Sequence, residues 1–135
     1  MRYCLDTSAY SHFKRGDPQV VDLIDRAEWI GVPVIVLGEL AVGFRLGSRA
    51  AANEAELREF LSNASVDVLE VTADVAGIYA ELVLALKKAG TPLPANDLWI
   101  AAVAVRHGAP VLTYDAHFQK IPRTGATVLS TADRA

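Results

Sequence analysis

Tyr3-Cys4-Leu5-Asp6-Thr7-Ser8 is an apolar run that stops on a carboxylate and passes to two hydroxyl residues. A short apolar run bounded in this way reads as a buried strand, and Thr or Ser just beyond it suits the start of a helix. The stretch therefore reads as strand, acid, helix. The pattern recurs downstream. Glu39 follows Val34-Ile35-Val36-Leu37, Asp115 follows Val111-Leu112-Thr113-Tyr114, and Asp97 opens the apolar segment Leu98-Trp99-Ile100-Ala101-Ala102. Strands that alternate with helices imply a parallel sheet covered on both faces.

Working outward, residues 2–6 form the first expected strand. Gly16-Asp17-Pro18 is a stop and restart, with Asp17 as cap and Pro18 at the first helical position. Val20, Leu23, Ile24 and Ala27 mark one helical face, and Gly31 is read as the end of that helix. Residues 33–36 are the second expected strand, with Pro33 at its beginning. Leu37, Leu40, Ala41 and Phe44 then mark a helix carrying Glu39 near its start. Leu57, Phe60, Leu61 and Ala64 mark another. Residues 66–71 are a third strand, 72–89 and 96–107 helices, 109–114 a fourth strand and 126–129 a fifth at an edge. The last few residues are expected to be loose. The fold class is α/β, one domain over residues 1–135, with a central parallel sheet of four to five strands between helices.

Composition agrees. Of 135 residues, 52% are hydrophobic and 21% charged, which excludes a disordered chain. The mean hydropathy of +0.25 is high for a small domain and points to apolar surface covered by a partner or a second copy. Cys4 is the only cysteine, so no intrachain disulfide is expected. No apolar run approaches the roughly 20 residues that span a bilayer, and a charge arrives too early for a signal peptide. A cytoplasmic protein is expected. The net charge of −3 argues against nucleic-acid affinity resting on diffuse positive charge. It leaves room for a nuclease, because bound divalent cations reverse the sign locally.

In open α/β sheets, ligands bind beyond the carboxyl ends of the strands. Asp6, Glu39, Asp97 and Asp115 are therefore expected at one edge. Gathered carboxylates repel one another unless a cation neutralises them, and hard oxygen ligands suit Mg²⁺ or Mn²⁺. Each acid also has a plain explanation: a helix cap for Asp6, a dipole-complementing first-turn residue for Asp97, a helix-start glutamate for Glu39, a turn residue for Asp115. Taken together, the four favour a metal-dependent enzyme acting on a phosphate ester.

The same residues resemble a known family. Leu5-Asp6-Thr7-Ser8, Glu39 after an apolar run, Asn96-Asp97-Leu98-Trp99-Ile100-Ala101-Ala102, Gly108-Ala109, Leu112-Thr113 and Asp115-Ala116-His117-Phe118 resemble PIN-domain ribonucleases, most closely the VapC toxins of prokaryotic toxin–antitoxin pairs. The resemblance implies a PIN-like three-layer fold and metal-dependent endoribonuclease activity. It implies a metal set of Asp6, Asp97, Asp115 and Glu39, supported by Ser8, Asn96 and Thr113, with Mg²⁺ or Mn²⁺ as cofactor. It also implies an RNA substrate, a VapB-like antitoxin, a homodimer and a toxin–antitoxin hetero-oligomer. Tyr114 stands where smaller polar residues are common. Some members carry a further acid after the last strand, for which His117 and Lys120 are not obvious substitutes.

Arg45 and Arg49 are the leading RNA-backbone candidates, because they follow the helix of Glu39. Lys14, Arg15, Lys87, Lys88 and Arg106 read mainly as solvated helix ends. His12, His107 and His117 lack metal-ligand spacing and read as surface or loop residues. Trp99 and Phe118 read as packing residues. Val42, Phe44 and Leu46 leave their helix apolar on more than one side, which suits a partner groove. A receiver domain would need paired acids after the first strand, and an aspartate phosphatase would need an acid at Ser8. The remaining alternative is a non-catalytic PIN-like binding module, whose natural mark would be loss of an acid; all four are present.

Overall fold

A computed structural model describes residues 1–131; the expectation for the final residues lies outside them. Strand β1 (Arg2–Leu5) leads into α1 (Thr7–Lys14) and α2 (Pro18–Arg26). Strand β2 (Trp29–Pro33) leads into α3 (Val34–Leu46) and α4 (Ala50–Leu61). Strand β3 (Val66–Leu69) is followed by α5 (Ala73–Lys88) and α6 (Ala95–His107). Strand β4 (Val111–Thr113), a 3₁₀ turn (Ala116–Lys120) and β5 (Ala126–Val128) complete the fold. The five strands form one parallel sheet in the order β3-β2-β1-β4-β5.

That order creates the site. The chain builds outward from β1 through β2 to β3, crosses back, and builds the other way through β4 to β5. Right-handed crossovers put α1–α4 on one face and α5 and α6 on the other. The direction reverses between β1 and β4, and in such sheets the crevice at the reversal is the binding place. Cys4 lies in register with Val111 and Leu5 with Leu112, so the two strands end side by side. Both layers close over a core that includes Leu5, Ile30, Val32, Val36, Leu82, Ile100, Val103 and Leu112, each almost wholly buried. Trp99 stacks on Tyr79 at 3.7 Å between ring centres, and Phe118 is fully buried, as packing residues should be.

One element differs from the sequence reading. Residues 33–36 are not a strand: Pro33 closes β2, and Val34-Ile35-Val36-Leu37 are the first turn of α3. A four-residue apolar run cannot distinguish a strand from a buried helical turn, and here Val36 and Leu40, four apart, are the buried pair. Gly31 is correspondingly not a helix stop but the middle of β2. A Cβ there would stand 2.4 Å from the Trp29 ring and 2.5 Å from a Leu69 methyl, so only glycine lets those side chains lie over the strand. The helix before it ends earlier, at Arg26.

Candidate active site at the sheet's reversal point

Asp6 is the hub. It is the N-cap of α1 and accepts from the Ala9 amide at 2.9 Å, so the cap reading holds. It is also 5% exposed, far below an ordinary cap, because its second oxygen turns toward β4. Ser8 donates to it at 2.8 Å, and the fully buried Thr113 hydroxyl donates at 2.5 Å. The same two hydroxyls accept backbone amides from the strand-to-turn segment: Ser8 Oγ takes Tyr114 N–H at 3.0 Å, and Thr113 Oγ1 takes Asp115 N–H at 2.8 Å. Two relays of amide, hydroxyl and carboxylate thus fix the end of β4 against the end of β1. Three donors meet a carboxylate with four lone-pair directions, leaving one for a cation.

Glu39 enters from the second turn of α3. Thr7 donates to its Oε1 at 2.6 Å and the Asn96 amide to its Oε2 at 3.4 Å. Its neighbours are therefore the residues beside Asp6 and Asp97. Asp97 lies in the first turn of α6, where the helix dipole favours a negative charge. Asp115 opens the 3₁₀ turn and accepts the His117 amide at 2.9 Å. Asp97, Asp115 and His117 each offer a ligand atom within 4.8 Å of the other two. Of the residues named from the sequence as supporting, Ser8 and Thr113 thus bond to Asp6 and Asn96 to Glu39.

The electrostatics are those of crowded, desolvated acids. Burial pushes the Asp97 carboxyl up to about 6, and the carboxylates of Asp115, Glu39 and Asp6 push the same way; His117 acts in the opposite sense. Burial also raises Asp6, while the bonds from Thr113, Ala9 and Ser8 hold it down. Among the described residues, no lysine or arginine pairs with any of the four acids. The donors are carboxylate oxygens with one imidazole beside them, and among the described residues no lysine or arginine balances their charge. That set fits a hard divalent cation.

Residues 3–124 match the PIN domain. The chain belongs to the PIN-domain family. It is 35% identical to ribonuclease VapC4 of Mycobacterium tuberculosis over 90% of this chain and 92% of that protein. It is 35% identical to ribonuclease VapC5 of the same organism, over 84% of this chain and 83% of the relative. Among solved structures, VapBC2 of Rickettsia felis bound to a promoter DNA fragment superposes with a TM-score of 0.83 at 26% identity, covering 96% of this chain and all of that one. The PIN domain thus gathers its carboxylates where β1 and β4 end.

The fold also fixes the surroundings of other residues named from the sequence. Arg45 pairs with Glu54 of α4 at 3.9 Å, and Arg49 lies exposed before that helix. His12 is no loop residue: it stacks on Tyr114 at 3.8 Å and meets the buried Asp17 at 3.2 Å. Asp17 makes no side-chain cap for α2, because it turns inward to His12. Sequence reasoning placed Thr7 beside Asp6 as one of the residues holding it and missed its bond to Glu39; it also missed His117 as a neighbour of Asp97 and Asp115. Thr7 lies next to Asp6, but only the fold brings α3 close enough for it to hold Glu39. His117 lies two residues beyond Asp115, a spacing that reaches the site only because the chain turns there.

Proposed function

We propose that this PIN domain is a metal-dependent endoribonuclease, the toxin of a toxin–antitoxin pair, which hydrolyses RNA phosphodiester bonds. The observation that carries the reading is the convergence of Asp6, Glu39, Asp97 and Asp115 at the reversal point with no lysine or arginine among their partners. A bound Mg²⁺ or Mn²⁺ supplies positive charge to the phosphate oxygens and makes water a better nucleophile near neutral pH. Asp97 and Asp115 would hold the ion. Asp6 contributes its remaining lone pair and keeps Asp115 in place through Thr113. Glu39, steadied by Thr7 and Asn96, orients the attacking water and takes up its proton. Attack in line with the leaving 3′ oxygen yields a 5′-phosphate and a 3′-hydroxyl, the alkoxide taking its proton from solvent. None of the acids becomes covalently attached.

Arg45 and Arg49 are the proposed contacts to the RNA backbone. The relatives named above are ribonucleases, and the neighbouring structure is a VapBC complex bound to promoter DNA. For this chain the antitoxin seat follows from α3, where Val42 and Leu46 are exposed. Beside them a groove of about 260 Å³ between α3 and α4 is lined by Leu37, Ala41, Phe44 and Leu57. A VapB-like antitoxin helix would lie there, and a second copy would complete a homodimer. No helix among the described residues is long and apolar enough to cross a membrane, and the cytoplasm is the proposed location. RNA cleavage by an Asp6→Asn/Asp97→Asn protein tests the assignment. Loss of at least about a hundredfold in rate is expected; an unchanged rate would refute it.

A further inference from the structure

We propose that His117 is a metal ligand of this site, making its donor set mixed oxygen and nitrogen. The inference rests on the carboxylate–metal reading above and goes beyond it by adding a nitrogen donor and a metal preference.

His117 lies on the 3₁₀ turn that follows Asp115, with Nδ1 3.1 Å from Asp115 Oδ1. Neighbouring ligands around a six-coordinate Mg²⁺ or Mn²⁺ with bonds of about 2.1 Å stand about 3.0 Å apart, and opposite ones about 4.2 Å. The ligand atoms of Asp97, Asp115 and His117 lie within 4.8 Å of one another, so small side-chain adjustments would bring all three onto one ion. The other two acids are more fully hydrogen-bonded: Asp6 accepts from an amide and two hydroxyls and keeps one lone pair for the ion, and Glu39 accepts from Thr7 and Asn96. The ring is half exposed, so its proton can reside on Nε2 in solvent while Nδ1 presents its lone pair. The turn itself is fixed, since Asp115 accepts the His117 amide and Phe118 is fully buried beneath it.

An imidazole has a chemical consequence. Mg²⁺ prefers oxygen, whereas nitrogen donors favour transition metals, of which Mn²⁺ is the hardest. A site with His117 therefore favours Mn²⁺ over Mg²⁺ more than an all-carboxylate site does. The other histidines have other partners and are not in the Asp97, Asp115 and His117 group: His12 is engaged with Asp17 and Tyr114, and His107 ends α6 near Trp29. A nitrogen signal at the metal is thus assignable to one residue.

The test is pulsed electron paramagnetic resonance of the Mn²⁺-loaded protein, with Mn²⁺ and Mg²⁺ affinities measured by calorimetry. The wild type is expected to show ¹⁴N coupling to Mn²⁺. His117→Ala should lose it and bind Mn²⁺ several-fold more weakly. His117→Asp should bind without ¹⁴N coupling and lower the preference for Mn²⁺ over Mg²⁺ by on the order of tenfold. Mn²⁺ bound with no ¹⁴N coupling, or coupling that persists in His117→Ala, overturns the ligand assignment and leaves the carboxylate reading standing. A protein that binds neither ion overturns both.

Discussion

Asp97 carries opposing demands, and its behaviour with pH follows from them. Its carboxyl in the folded protein sits at about 6, above the ordinary 3.8, because burial and three neighbouring carboxylates disfavour the charge. Between those values the native state holds a proton that the unfolded chain has released. The metal-free protein therefore loses stability as pH rises from about 4 to above 6. Asp97→Asn removes the penalty. Part of the group is solvent-screened, so the expected gain at pH 7.5 is on the order of 1 kcal/mol, read as a higher midpoint in thermal or urea unfolding without metal. Metal binding runs the other way: below pH 6 the ion must displace a proton, and its apparent affinity should fall towards tenfold per pH unit. A pH-independent affinity between 5 and 7 would contradict this account. Thr113 is the second residue to test. Thr113→Val keeps the shape, removes a donor from Asp6 and leaves the Asp115 amide without its acceptor. A cost of about 2–3 kcal/mol is expected in urea unfolding, together with weaker metal binding.

At the scale of elements, legibility depended on how much each segment reveals locally. The β1-to-α1 junction could be read because Asp6, Thr7 and Ser8 are at once a strand stop, a helix start and the site. The helices at 72–89 and 96–107 were legible from long periodicity and their glycine stops, and in the structure Gly108 takes the left-handed conformation of such a stop. The β2-to-α3 junction was not legible. Its true strand, Trp29-Ile30-Gly31-Val32-Pro33, hides a glycine in the middle, while the apolar turn after it imitates a strand. The glycine is required by the tertiary contact of Trp29 and Leu69, which no local pattern reveals. Gly31→Ala should therefore destabilise the fold by about 1–3 kcal/mol in denaturant unfolding, through crowding and not through backbone strain. Glu39 stood out as a candidate despite this error, since a carboxylate isolated among apolar residues is conspicuous under either assignment. The partners of Glu39, and the pairing of His12 with Asp17, needed the fold.

For the whole molecule, the order β3-β2-β1-β4-β5 explains how an acidic protein can act on RNA. The reversal between β1 and β4 brings Asp6 and Asp115 together, while α3 and α6 deliver Glu39 and Asp97 from either side. In the proposed mechanism the acids would recruit cations, and the cations would engage the phosphate. The apolar end of α3 lies outside this chemistry, so partner binding should separate from catalysis. Leu46→Glu is expected to leave unfolding unchanged within about 0.5 kcal/mol while weakening antitoxin or self-association in sedimentation measurements. The central claim, metal-dependent hydrolysis of RNA by the carboxylate set, is tested most directly by the chemistry of the cut ends. Purified protein is incubated with RNA in Mg²⁺ or Mn²⁺, with and without a chelator, and the new ends are typed by ligation. The expected products carry 5′-phosphate and 3′-hydroxyl, appear with the metal and vanish with the chelator. Cleavage that persists in chelator, or leaves 5′-hydroxyl and cyclic-phosphate ends, would contradict the account.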